Sequence, residues 1–425
     1  MRILLISYYF PPCGGAAVQR WHKWLPVLVE SGIEVTVLTT ANGDYPVLDP
    51  SLEQEIPPQV KVLRSGAPST AKLWKALFGK RSSVPYGDLS TNAKTGFLRK
   101  ALIWARLNLI IPDARKFWNP SALKTATAFL KTNLVDAVIT TGPPHSTHLI
   151  GLELKKRHRV RWIADWRDPW STVYYLKLNP PCGWSLRRHQ ALERKVAQSA
   201  DLNIVISKHL AKQLPSSNSI VVRNGYDAAK TAAARVNENT RAERFRIKYV
   251  GNLTEGQKLE EAVKIIGKAF PDGDFELTCV GTRIDADRMK LLVVEIPGSF
   301  SCKGFVPHQQ AISEMADCEL LLLLINYYEG FEGMLTTKLY EYIGSGTKIF
   351  CLGPHGGEAD KLIDLYKAGA CFDISEEAAA MSFLKGLRED WRAGKNITNN
   401  SDTSELSTRH QAAIMISALS EEKKG

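Results

Sequence analysis

Hydrophobic and polar positions follow two rhythms along this chain. Short apolar runs recur at Arg2–Ser7, Glu34–Thr39, Val60–Leu63, Leu134–Thr140, Arg161–Asp165, Leu202–Ile206 and Ile220–Arg223, and each predicts a strand. Between several of them the apolar spacing changes to three and four, which predicts helices. One follows the loop Tyr8–Gly15 and runs to Glu30, with Val18, Trp21, Leu25 and Leu28 on one face and Pro26 as an expected kink. Others fall at Ser121–Thr132, His148–Lys156 and Ser185–Gln198. Strands separated by helices imply right-handed crossovers and a parallel sheet.

The pattern then dissolves. Residues Asn224 to Arg244 are rich in Ala, Asn and Arg and read as a linker. A second alternating series starts at Arg246–Gly251 and continues through Phe275–Val280, Glu319–Ile325 and Thr347–Leu352. Residues near Asn396 to Glu405 read as a loop, and Leu406 to Leu419 as a last helix. The expected class is α/β, with two Rossmann-like domains facing across a cleft. The expected boundaries are 1–226, a linker at 227–245, 246–405, and a helix at 406–425 that packs back on the first domain.

A chain of 425 residues can hold two cores, and 44% hydrophobic with 23% charged residues suits globular domains. No run approaches 18 consecutive apolar residues, so no membrane-spanning helix is expected. The opening Met-Arg-Ile-Leu-Leu-Ile-Ser turns polar too soon for a secretory signal. Seven cysteines without a CxxC pair fit reduced thiols, so a cytoplasmic protein is expected.

Charge sharpens this picture. The formal net charge is +11, and Lys72 to Lys116 carries ten cations against Asp88 and Asp113. Trp74, Phe78, Phe97 and Trp104 lie among them. Basic residues interleaved with aromatic ones suit an anionic membrane surface, here the inner face of the plasma membrane. No nucleic-acid-binding signature accompanies the charge. The alternative is a solvated face with its apolar residues turned inward.

Candidate chemistry concentrates at Glu332 to Gly346. The buried-looking run Leu320–Ile325 opens into a polar loop, then a helix beginning at Thr336/Thr337. Such a helix start presents unpaired N–H groups to an anion. Glu341, one turn in, can accept two hydrogen bonds from a vicinal diol such as ribose. Lys338 is its i,i+3 neighbour, and the two residues could equally pair with each other. Gly14 and Gly15, between the first strand and its helix, allow close backbone approach, but the motif is not GxGxxG. Asp165, Arg167 and Asp168 end another strand and could bind an acceptor or brace their own loop. Asp285-Ala-Asp287 resembles a metal-binding DxD, yet its place before a charged helix favours an N-terminal cap. No metal is expected.

These pieces together resemble the family 4 retaining glycosyltransferases of the two-domain GT-B fold. The resemblance runs through "RILLISYYFPPCGGAAVQRWHKWLPVLVESGIEVTVLT", "ADLNIVISKHL", "VVRNGYD", "YVGNLTEGQKLEEAV" and "TTKLYEYIGSGTKIF". It implies that Glu341 holds the nucleotide ribose and that Gly14 and Gly15 lie near the donor phosphates. It puts Lys258 near the diphosphate-binding lysine and His145 at about the place of a histidine facing the transferred sugar. Val306, within Gly304-Phe305-Val306, falls in the segment whose backbone contacts the base.

Two departures stand out. The family usually has Arg where this chain has Asn252. Its paired glutamates have seven residues between them, whereas Glu332 and Glu341 have eight, so strict spacing lands on Gly333. Lys258 and Lys338 then become the expected partners of the diphosphate, with N–H groups from Met334, Leu335, Thr336 and Thr337. The expected activity is metal-independent, retaining transfer of a sugar from a UDP- or GDP-type donor to a hydroxyl acceptor. That acceptor would be lipid-linked or a saccharide, in envelope polysaccharide synthesis, and no further cofactor is expected. The alternatives are a nucleotide-sugar epimerase of the same fold and a non-catalytic nucleotide-sugar-binding protein.

Overall fold

A computed structural model describes residues 1–68, 97–236, 242–254, 256–327 and 330–421. The chain forms two compact units, Met1–Arg223 with Ala412–Gly425, and Asn224–Gln411.

The first unit is built on seven parallel strands: β1 (Arg2–Ile6), β2 (Glu34–Thr40), β3 (Lys61–Ser65), β4 (Ala137–Gly142), β5 (Trp162–Trp166), β6 (Leu202–Val205) and β7 (Ser219–Val221). Their order is β3-β2-β1-β4-β5-β6-β7, so the chain's progress reverses between β1 and β4. Loops leaving the carboxyl ends of strands on either side of such a reversal diverge and leave room for a ligand. Every residue of β4 and β5 is buried, so neither strand alternates apolar with polar positions, and the polar side chains they do carry, Thr140, Thr141 and Asp165, are buried with the rest. The helix Ala16–Glu30 continues through Pro26. Ala412, Met415 and Leu419 of the helix Thr408–Glu421 join the core made by Ile3, Leu5, Trp24 and Leu28. Arg161 donates to the carbonyls of Leu419 and Ala418 at 2.5 and 3.3 Å, answering orphan acceptors at the end of that helix.

The second unit repeats the topology with six parallel strands. They are β8 (Phe245–Val250), β9 (Phe275–Val280), β10 (Phe300–Lys303), β11 (Leu320–Leu324), β12 (Lys348–Leu352) and β13 (Gly369–Phe372), ordered β10-β9-β8-β11-β12-β13. The two strands absent from the sequence reading, β10 and β13, are the sheet edges. β10 (FSCK) is broken by polar residues and half-buried at best, and β13 (GACF) is only four residues long and opens on glycine. An edge strand has little apolar surface to bury, so its sequence carries a weak signal.

One expectation is corrected. Residues 227–245, read as a linker, contain a helix, Ala228–Val236, which packs on the helices His308–Ala316 and Thr337–Ser345. Arg235 donates from Nε to the carbonyl of Ser345 at 2.5 Å and from Nη2 to that of Gly344 at 3.0 Å. The stretch Ala228-Ala-Lys-Thr-Ala-Ala-Ala is rich in the best helix former but nearly blank in hydrophobic periodicity. Ala234 is small enough to sit directly against Ile312 and Ala316.

Candidate active site

In the second unit the site grows from β11. Five consecutive leucines, Leu320 to Leu324, are all buried, and the chain leaves the sheet through Ile325 and Asn326. A tight turn, Phe331–Gly333, follows, then the helix Thr337–Ser345. Thr336 caps that helix in extended geometry, but its hydroxyl makes no capping bond. Its Oγ1 is buried and unpartnered. Among the described residues no acceptor faces the N–H groups of Leu335, Thr336 and Thr337. The N–H of Met334 is different, because it donates to the carbonyl of Phe331 at 2.8 Å. Met334 therefore drops out of the expected donor set. Glu332 is exposed on the turn, beside half-buried Gly333.

Lys338 and Tyr342, one turn apart, tie this helix to β8. The Lys338 ammonium donates to the Tyr249 hydroxyl at 2.7 Å and to the Asn252 carbonyl at 3.4 Å, lying 4.2 Å from the Tyr249 ring centroid. The Tyr342 hydroxyl accepts from the Val250 N–H at 2.7 Å and donates to the Val250 carbonyl at 3.1 Å. Burial pushes the Lys338 ammonium down to about 7, opposed by the nearby Cys279 and Glu341. Gly251 makes this approach possible. Its φ is +122°, and a Cβ there would stand 3.0 Å from Lys338 Nζ.

Glu341 is buried on the same helix, and its Oε1 lies 2.8 Å from Nε2 of His308. Lys338 and Glu341 thus reach different partners, Tyr249 and His308. Asn252 and Lys258 are both exposed, with Lys258 just ahead of the helix Leu259–Ala269. Val306 is half-buried and Phe305 exposed, in the loop between β10 and His308. Asp285 caps the helix Ala286–Glu295 by accepting from the Arg288 N–H at 2.9 Å.

The sequence reading missed His308 and Tyr249. Tyr249 sits inside a strand and looks like core. The only cue for His308 was its position two residues after Val306.

In the first unit the loops at the carboxyl ends of β1, β4 and β5 hold the remaining expected residues. Gly15, at φ +81°, opens the helix Ala16–Glu30 with nothing within 4 Å of where a Cβ would stand. Gly14 is packed instead, with its virtual Cβ 2.9 Å from Asp49. Asp165 is fully buried. Its Oδ1 accepts from Arg20 Nε and Nη2 at 3.1 and 3.0 Å, and its Oδ2 from Trp21 Nε1 and Thr141 Oγ1, both at 2.8 Å. Arg167 is also buried and donates to the carbonyls of Gly142, Pro143 and Ala17. These two residues, expected to bind an acceptor, hold the loop together. Asp168 is exposed.

His145 is 4% exposed and stacks on Trp170, with ring centroids 5.2 Å apart and planes 7° apart. Burial first, then His148, hold its imidazole well below the ordinary value, so it is neutral at pH 7. Its Nδ1 and the Nε2 of buried His148 have no partner, and both face the Cα of Gly142.

The basic segment is described only in part, since 69–96 lies outside the described residues. Of its cations, Arg115 is buried and internal, donating to Asp44 at 3.2 Å and lying 5.2 Å from the Tyr8 ring centroid. Trp104, Leu109 and Phe117 are exposed, as is Trp184 of the helix Gly183–Ser199, which touches the helix Phe97–Leu109. Lys116 lies 5.6 Å from the Phe117 ring centroid. No helix among the described residues is long and apolar enough to cross a membrane.

Two Rossmann-like units in this order define the GT-B architecture of nucleotide-sugar-dependent glycosyltransferases. Residues 15–225 match the family described as Glycosyl transferase 4-like domain, so this chain carries that domain. No curated protein sequence matches it. Among solved structures, Anabaena Alr3699/HepE in complex with UDP and glucose is similar, at 15% identity and TM-score 0.60, over 99% of this chain and 100% of that one. WaaG, a glycosyltransferase involved in lipopolysaccharide biosynthesis, is similar at 14% identity and TM-score 0.56, over 97% and 99%. A putative UDP-N-acetylglucosamine 2-epimerase from Listeria monocytogenes is similar at 10% identity and TM-score 0.57, over 100% and 96%.

Proposed function

We propose that this glycosyltransferase moves a sugar, with retention, from a UDP- or GDP-type nucleotide sugar to a hydroxyl acceptor. The second unit holds the donor in this reading. The observation that carries it is the helix start at Thr336, where among the described residues three N–H groups have no acceptor and a buried hydroxyl has no partner, with Glu341 one turn further on. The N–H groups of Leu335, Thr336 and Thr337 and the Lys338 ammonium would take the diphosphate, and Glu341 the ribose diol. As the sugar–oxygen bond breaks, negative charge grows on the β-phosphate. Donors already fixed in place stabilise that charge without reorganising. Exposed Lys258 and Asn252 flank the same region, and the backbone near Val306 would face the base. The similar Alr3699/HepE, solved in complex with UDP and glucose, supports this reading.

The first unit takes the acceptor. Of the residues expected there, Asp168 is the one whose side chain is exposed. Exposed Trp104, Leu109, Phe117 and Trp184, near Lys116, Arg187 and Arg188, suit an anionic membrane surface and hence a lipid-linked acceptor. This fits envelope polysaccharide synthesis at the inner face of the plasma membrane; the similar WaaG is a glycosyltransferase involved in lipopolysaccharide biosynthesis.

The first test is calorimetric binding of UDP, GDP and their sugars, followed by transfer assays with wild type and Glu341→Ala. Wild-type affinity and turnover for Glu341→Ala would remove Glu341 from the site. Product analysis with and without acceptor separates transfer from epimerisation, the alternative reading on the same fold. Sedimentation with phosphatidylglycerol vesicles tests the membrane face, and Trp104→Ala/Phe117→Ala/Trp184→Ala should release the protein.

A further inference from the structure

The loop after β10 and the helix after β11 come from different crossovers, yet one hydrogen bond joins them. His308 is the first residue of the helix His308–Ala316, and its half-buried imidazole places Nε2 2.8 Å from Glu341 Oε1. A carboxylate oxygen can only accept, so Nε2 carries the proton of this bond. Glu341 is itself buried, and its helix is pinned to β8 by Lys338 and Tyr342. The carboxylate is therefore held from two directions: its backbone by β8, its Oε1 by His308.

From this geometry we infer that His308 is the positioning residue for the ribose. It sets the rotamer of Glu341, and through its place after Gly304-Phe305-Val306 it links the base-side loop to the carboxylate that reads the diol. The inference rests on the donor-site reading of Glu341 given above. A carboxylate has about four acceptor sites, so one bond from His308 is compatible with two from a vicinal diol. A group that must meet two hydroxyls at once loses most of its discrimination if it can rotate. His308 removes that rotation before the ligand arrives. It does not touch the reacting atoms, so its effect belongs in donor affinity and KM, with kcat nearly unchanged.

The test uses the full chain and whichever of UDP and GDP binds more tightly, compared with its 2′-deoxy form. Wild type is expected to prefer the ribonucleotide by about tenfold or more, and Glu341→Ala to lose that preference. His308→Leu should cut the preference severalfold and raise KM, with kcat within about twofold. His308→Gln, which keeps an N–H donor on a side chain of similar reach, should restore most of it. If Glu341→Ala loses the preference while His308→Leu keeps it, His308 is not the positioning residue and the donor-site reading stands. If His308→Gln is as poor as His308→Leu, the hydrogen bond is not the cause, which equally overturns the inference. A preference retained by Glu341→Ala sinks the donor-site reading itself.

Discussion

Lys338 and Tyr249 meet at 2.7 Å, ammonium to hydroxyl, and the cation lies over the ring that carries this hydroxyl. Asn252 contributes only its carbonyl to Lys338, at 3.4 Å. At this point the strand-end loop after β8 offers a carbonyl, and the ammonium beside it comes from the facing helix Thr337–Ser345.

That arrangement makes Lys338 proton-sensitive. Its folded value, about 7, lies below the unfolded one of 10.5. Across that window the unfolded chain binds a proton the native chain lacks, so this lysine makes stability rise with pH from about 7 to about 10.5. Below pH 7 its full penalty is present. Lys338→Met should flatten this part of the pH–stability curve measured by urea unfolding. A diphosphate beside Nζ would raise its value again, so binding UDP or GDP near pH 8 should take up a proton. Calorimetry in buffers of different ionisation heat reads this directly, and no uptake by wild type would exclude Lys338 from the phosphate site.

Thr336→Val separates ligand binding from folding. The hydroxyl it removes is buried without a partner, so thermal stability should hold or rise slightly. Nucleotide affinity should fall by roughly two- to tenfold, the equivalent of about 0.5–1.5 kcal/mol for one neutral hydrogen bond. A lower melting temperature with unaltered affinity would show that the hydroxyl serves the fold.

Gly251→Ala places a side chain at φ +122° and against Lys338. Backbone strain of this kind costs about 1–3 kcal/mol, and Lys338 must also move. The melting temperature should drop, and nucleotide affinity should drop with it. Wild-type values for both would mean that Lys338 does not depend on this glycine.

Asp165→Asn tests the loop at the end of β5. The substitution turns an N–H group toward donors from Trp21, Thr141 or Arg20 and leaves the buried guanidinium of Arg20 without its counter-charge. Breaking a buried ion pair this way costs about 3–5 kcal/mol. Urea unfolding should report that loss, while the folded fraction keeps its acceptor KM. A raised acceptor KM with normal stability would return Asp165 to the binding site.

The sequence alone determined where the inner strands lie, because a strand buried on both faces is mostly apolar, as Leu320–Leu324 is throughout and Ala137–Ile139 is at the start of β4. It also determined the helix start at Thr336/Thr337 and the carboxylate one turn in, since both depend only on local spacing. Tertiary structure decided which polar residues face a ligand and which face each other. Asp165 and Arg167 looked like site residues until their partners, Arg20, Trp21, Thr141 and the carbonyls of Ala17 and Gly142, came from distant segments. His308 looked ordinary until a crossover placed it on Glu341, and the Ala-rich 228–236 looked irregular until neighbouring helices packed against it. Local spacing records which bonds a side chain can make; which ones form depends on the groups that folding brings within about 3 Å.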